Sequence, residues 1–206
     1  MSVALAVAIL AVSAALSIVL ILAIEPLLVR YVMATPNARS SHAIPTPQGG
    51  GIAVMLAVIL ICGLVLLHVP GIPDRIALLQ VLVAAFGLSL LGLADDAHAL
   101  SVPGRFIGQG LAALIVIFSL PPDLAFFPDF LPLAIERALL AIGIVYFVNA
   151  VNFLDGIDMI TMAQTVPVTL GVVILTALGD LPISAGILAL ALLGGMIGFF
   201  PFNKHK

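Results

Sequence analysis

Ser2–Ile24 reads SVALAVAILAVSAALSIVLILAI, without one ionisable side chain. About 20 predominantly apolar residues, rising 1.5 Å each as a helix, cross roughly 30 Å of hydrocarbon, so this stretch alone is long enough to span a bilayer. It is unlike a secretory leader, because no basic residue precedes it and its apolar run exceeds the roughly 7–15 residues of a leader core. It reads as a first, retained transmembrane helix.

Working outward, the same pattern recurs. Apolar runs occupy 2–28, 50–68, 76–94, 106–120, 135–154, 163–178 and 183–200. The breaks between them, at Pro36–Gly50, Pro70–Asp74, Asp95–Arg105, Pro121–Pro132, Asp155–Thr161 and Gly179–Pro182, are punctuated by Pro and Gly, as expected where helices stop. The Pro-rich stretch from Pro121 to Pro132 suits a segment lying in the membrane interface. Of the 206 residues 63% are hydrophobic and 8% charged, against about 25% charged in soluble domains. The pattern therefore predicts an all-α, polytopic transmembrane helix bundle of about seven helices, a single transmembrane domain over 1–206.

The few charges narrow the function. The net charge is −3, with no dense Lys/Arg patch, so no nucleic-acid partner is expected. If crossings alternate, Arg30, Arg39, Arg105, Lys204 and Lys206 share one side and Arg75 and Arg137 take the other. Positive residues favour the cytoplasmic side, which predicts that this side faces the cytoplasm. On the opposite side Asp74, Asp123, Asp129, Glu136 and Asp180 read as solvated loop charges. Gly194 and Gly198 form a small-xxx-small pair suited to close helix packing. The single cysteine, Cys62, lies mid-run and reads as a core residue.

The remaining polar residues cluster on the predicted cytoplasmic side. After the first run come Arg39, His42, Pro45, Pro47 and the triplet Gly49, Gly50 and Gly51. Glycines there let backbone N–H groups approach an anion at a helix start, although such a triplet also makes an ordinary turn. Asp95 and Asp96 end the third run. Adjacent carboxylates at a membrane boundary repel each other, and their pairing points to a cation or a proton-accepting role, with a solvated helix end as the plain alternative. Asn149, Asn152, Asp155 and Asp158 fall every third position out of the fifth run, forming a polar stripe that begins inside apolar sequence. Arg105 suits phosphate oxygens. Gln109, one turn later, suits either the same site or a hydrogen bond between helices. His98 reads as a surface residue, and His68 falls on the opposite side from the clusters.

These motifs, Arg39-Ser-Ser-His42 with Pro45-Thr-Pro-Gln-Gly-Gly, Leu91-Gly-Leu-Ala-Asp95-Asp96, Leu100 with Arg105 and Gln109, and Asn149-Ala-Val-Asn-Phe-Leu-Asp-Gly-Ile-Asp158, resemble those of the polyprenyl-phosphate N-acetylhexosamine-1-phosphate transferases, which include the phospho-N-acetylmuramoyl-pentapeptide transferases. The resemblance runs in order from about residue 25 onward. It implies transfer of N-acetylhexosamine-1-phosphate from a UDP-N-acetylhexosamine to a polyprenyl phosphate, for cell-wall or surface polysaccharide synthesis, with Mg²⁺ as cofactor. It also implies roles. Asp95 or Asp96 would activate or orient the lipid phosphate; Asn152, with Asp96, would ligate the metal. Arg39, His42, Gly49, Gly50, Gly51, Arg105, Asn149, Asp155 and Asp158 would bind substrate. Membrane lipid is a further expected partner, and a homo-oligomer is left open.

Members of that family continue past the Pro201-Phe202-Asn203 segment into a Gly-Asp motif and a histidine-rich loop, so the chain reads as the N-terminal part of a longer fold, with little activity expected by itself. The competing expectation is a catalytically inactive bundle that keeps the fold and binds lipid phosphate or a partner. A small transporter is a third reading, but the runs of helices two, four and six carry almost no ionisable residue to form a polar path.

Overall fold

A computed structural model of the chain describes residues 1–34, 46–47, 49–128, 130–154 and 159–203. Arg39, His42, Asp129, Asp155, Asp158, Lys204 and Lys206 lie outside the described residues. The architecture is α-helical: α1 (Val3–Tyr31), α2 (Gly51–His68), α3 (Arg75–His98), α4 (Val102–Ser119), α5 (Leu133–Leu154), α6 (Ile160–Leu178) and α7 (Ile183–Phe199), the last extended by a 3₁₀ turn over Phe200–Phe202. Among the described residues seven helices, α7 counted with its 3₁₀ turn, are long and apolar enough to cross a membrane. Many large apolar side chains on them are exposed, among them Val7, Leu22, Ile76, Phe118 and Phe147, the arrangement required when lipid is the solvent. Among the described residues the helices are joined by one ladder of two residues per strand, Met33–Ala34 antiparallel to Thr46–Pro47.

Local chemistry sets the helix ends. The Ser2 hydroxyl accepts the Leu5 N–H at 3.2 Å, and the Ser101 hydroxyl accepts that of Gly104 at 3.3 Å, each supplying an orphan donor of a first turn with a partner. Gly179 closes α6 at φ +92°, and the next N–H, of Asp180, returns to the Leu175 carbonyl at 2.9 Å, a glycine-terminated helix end.

The chain divides into two compact units, Met1–Arg75 with Asp155–Lys206, and Ile76–Leu154. In the first, α7 is the central helix and packs against α1, α2 and α6. It buries Ala191, Gly194, Gly195 and Gly198 along with its larger residues, consistent with a helix that is apolar all round. The α1 contact is a stripe spaced by four, Ile9, Ser13, Ser17 and Ile21. The Ser13 hydroxyl donates to the Ala191 carbonyl at 2.6 Å. A side chain at Gly194 or Gly198 would strike the Leu10 or the Ala14 carbonyl, so the small-residue pair expected from the sequence is what lets the two backbones meet. Cys62 is fully buried in α2.

In the second unit α4 and α5 are antiparallel: Gln109 near the start of α4 bonds Asn149 near the end of α5, while Arg137 near the start of α5 reaches the Ile117 carbonyl near the end of α4. Across the α3–α4 hairpin Gly108 lies against Leu91, so that a side chain at Gly108 would come within 2.8 Å of it.

Two expectations change. Residues Asp95–Arg105 form no long break: α3 runs through both aspartates to His98 and α4 begins at Val102. Glu136, expected as a solvated loop charge, is 3% exposed. Its Oε1 accepts the Phe126 N–H at 2.8 Å and its Oε2 the Phe127 N–H at 2.9 Å, from the first turn of a helix, where a negative charge is favoured. Arg137 complements it by donating to the carbonyls of Pro121 at 2.6 Å and Leu124 at 2.8 Å. The two residues thus hold the Pro-rich connection against its own helices. Replacing Glu136 with Ala leaves two N–H groups without that acceptor, and the expected cost is about 2 kcal/mol; faster protease cleavage between Pro121 and Pro132 in detergent, compared with the parent chain, would register it.

Candidate functional site

In the second unit the candidate residues gather at the α3–α4 turn and the paired ends of α4 and α5. Asp95 organises the turn. Its Oδ1 accepts the Leu100 N–H at 2.8 Å, its backbone carbonyl accepts the Ala99 N–H at 2.8 Å, and its Oδ2 accepts from Arg105 Nη1 at 3.2 Å. Ala99 takes a left-handed conformation, φ +45°, to make the reversal. The ion pair is partly solvated, with the Arg105 side chain 36% exposed and that of Asp95 23%, so it contributes little to stability, at most about 1 kcal/mol. Its importance is geometric, because it fixes a guanidinium beside the paired carboxylates. Asp96, the next residue, is exposed, as is His98.

About two turns into α4, Gln109 is buried and faces α5. Asn149 Nδ2 donates to Gln109 Oε1 at 2.6 Å and to the Val145 carbonyl at 2.8 Å, while Gln109 Nε2 approaches Asn149 Oδ1 at 3.4 Å. Such bonds between membrane helices contribute about 0.6 kcal/mol on average. Asn152, the next member of the stripe, is exposed. Among the described residues, then, the structure brings Asp95 to Arg105 and Asn149 to Gln109, with Asp96 and Asn152 exposed on the same segments. The sequence carried a signal for Gln109, a polar residue four positions after Arg105 in an apolar run, but did not settle which of two partners it meets.

In the first unit the glycine triplet opens α2. Gly49 has φ +84° and Gly50 is the capping residue, with no side-chain cap on the helix. The carbonyls of Gly49 and Gly50 accept the N–H groups of Ile52 and Ala53, each at 3.1 Å. A side chain at Gly50 would come within 2.9 Å of the Phe199 ring. Positive φ at Gly49 and contact with an aromatic at Gly50 each account for a glycine.

No group of three or more His, Cys, Asp or Glu side chains that could hold a metal is assembled among the described residues. The oxygen donors at the α3 end and on the stripe, the Asp96 carboxylate and the Asn152 amide, are nonetheless of the type Mg²⁺ accepts.

Comparison with known proteins adds the following. Residues 78–206, more than half of the chain, match the model of glycosyl transferase family 4. The chain is 28% identical over 197 residues to the decaprenyl-phosphate N-acetylglucosaminephosphotransferase of Mycobacterium tuberculosis, covering 84% of this chain and 47% of that protein. The corresponding Mycobacterium leprae protein is 26% identical over 194 residues, 84% of this chain and 48% of the relative. A probable undecaprenyl-phosphate N-acetylglucosaminyl 1-phosphate transferase of Bacillus subtilis is 32% identical over 129 residues, 60% of this chain and 34% of the relative. The chain spans about half or less of the length of these curated relatives.

Proposed function

Because the chain belongs to glycosyl transferase family 4, we propose that it carries the lipid-phosphate side of a site that transfers N-acetylhexosamine-1-phosphate from a UDP-sugar to a polyprenyl phosphate, on the cytoplasmic face of the inner membrane. The observation that carries this reading is the α3–α4 turn, where Asp95 and Arg105 are paired beside the exposed Asp96. A phosphate on a polyprenyl chain is confined to the boundary where helices end, and the turn offers it a cation and a carboxylate together. In the reaction an oxygen of the lipid phosphate bonds to the sugar-linked phosphorus of the donor. The bond from that phosphorus to the bridging oxygen breaks, and UMP leaves with its electron pair.

Asp96 and Asn152 would hold Mg²⁺, whose bound charge would offset that of the phosphates. Arg105 would bind phosphate oxygens through its remaining donors, and Asp95 would keep the guanidinium in place. The family resemblance further proposes Arg39, His42, Gly49, Gly50, Gly51, Asp155 and Asp158 as substrate contacts.

The test is direct. Membranes containing the chain, given radiolabelled UDP-N-acetylglucosamine, undecaprenyl phosphate and Mg²⁺, are expected to form a small amount of butanol-extractable label and an equal amount of UMP. Retention of polyprenyl phosphate without UMP would instead identify an inactive lipid-binding bundle, and absence of both lipid-phosphate retention and UMP would overturn the proposal.

A further inference from the structure

We infer that Gln109 is a positioning residue, and that it works by clamping Asn149 so as to set the register and rotation of α5 against α4; Asn149 is thereby a part of the scaffold rather than a contact to substrate. The inference rests on the transferase reading above and deepens it.

Three observations carry it. First, both N–H bonds of the Asn149 amide are directed inside the bundle, one to Gln109 Oε1 at 2.6 Å and one to the Val145 carbonyl at 2.8 Å. A primary amide has two N–H donors, so none remains for a ligand unless the pair is broken. Second, Gln109 is only 6% exposed, which leaves Asn149 as the group it serves. Third, the pair sits where it can transmit position. Arg105 precedes Gln109 by four residues on α4 and Asn152 follows Asn149 by three on α5, so in an antiparallel pair both lie on the same side of the amide clamp, about one helical turn from it. Neighbours three and four apart share a helix face. Holding Gln109 to Asn149 therefore fixes the heights of Arg105 and Asn152 along their helices.

The experiment compares Gln109→Leu, Asn149→Ala and the transposed double variant Gln109→Asn/Asn149→Gln, which exchanges the two amides across the interface. Activity is measured as UMP release with undecaprenyl phosphate and UDP-N-acetylglucosamine in membranes. Register is measured separately, in a Cys62→Ala background, by copper-catalysed disulfide formation between Ala113→Cys and Val145→Cys, one turn further along α4 and one turn back along α5. We expect each single variant to lower kcat about tenfold while KM for the nucleotide sugar changes less than twofold, to slow cross-linking several-fold, and to regain most of both in the transposed pair. A KM rise of fivefold or more with kcat unchanged in Asn149→Ala, without recovery in the transposed pair, would make Asn149 a substrate contact and overturn the inference. Cross-linking that ignores Gln109→Leu would overturn it as well. If the parent chain releases no UMP, the transferase reading fails for this chain and the cross-linking result alone decides the role of the pair.

Discussion

Replacing Gly194 and Gly198 together with alanine will destabilise the first unit by about 4 kcal/mol and expose Cys62 to thiol reagents. The reason lies in what each new methyl group would meet. At Gly194 it is the Leu10 carbonyl, with Ser13 Cβ beside it, and at Gly198 the Ala14 carbonyl, with Ser17 Cβ beside it. A flexible side chain could swing aside, but a helix backbone cannot, so α1 and α7 must separate. Separation also stretches the 2.6 Å bond from the Ser13 hydroxyl to Ala191 and opens the stripe of Ile9, Ser13, Ser17 and Ile21. Overpacking a close-packed interior costs about 1–3 kcal/mol per site, and two neighbouring sites on one interface act in the same direction. Cys62 is a suitable reporter, since it is the sole cysteine and is 0% exposed in the same unit. Its rate of maleimide labelling in mild detergent should rise at least tenfold, with single variants falling between. By contrast Gly63→Ala, where nothing lies within 4 Å of the added methyl group, should label like the parent. Equal labelling of the double variant and the parent would show that α1 and α7 do not meet through these glycines.

The fold was legible because the bilayer demands it. Runs such as 50–68 and 183–200 have no soluble interpretation, and the observed α2 and α7 follow them within a residue or two at each end. Polar residues at helix ends were harder to place. A run counted by hydropathy stops at the first carboxylate, yet Asp95 and Asp96 are compatible with a helix whose end is exposed, so α3 continues to His98. Glu136 was misread for the opposite reason: a glutamate beside a Pro-rich stretch looks solvated until the chain folds back and presents two N–H groups to it. That information is tertiary, as is the choice Gln109 makes between a ligand and another helix. The motifs themselves were legible because amides and carboxylates at three-residue spacing cannot be explained as a lipid-facing surface, and the family match over 78–206 covers three of the four motifs quoted from the sequence.

The sharpest chemical prediction concerns Asp96, the second carboxylate of the pair. Asp95 accepts from the Leu100 N–H with one oxygen and from Arg105 with the other, and so holds the turn and its guanidinium. Asp96 adds the second negative charge of the pair at an exposed position, and in the proposed transferase it is the carboxylate that serves the lipid phosphate or the metal. Asp96→Asn preserves size and hydrogen-bonding capacity while removing charge. Removing one preorganised electrostatic partner at a reacting centre lowers turnover by about 10²–10³-fold, and a carboxylate acting on a phosphoryl centre belongs at the upper end of that range. UMP release should therefore fall about 10³-fold, while Cys62 labelling and the Ala113–Val145 cross-link remain as in the parent, which separates loss of chemistry from loss of fold. Raising Mg²⁺ should not restore the rate if Asp96 acts on the lipid phosphate, but should restore part of it if Asp96 is chiefly a metal ligand. Activity within tenfold of the parent would remove Asp96 from the reaction and leave its exposed carboxylate as an ordinary helix end.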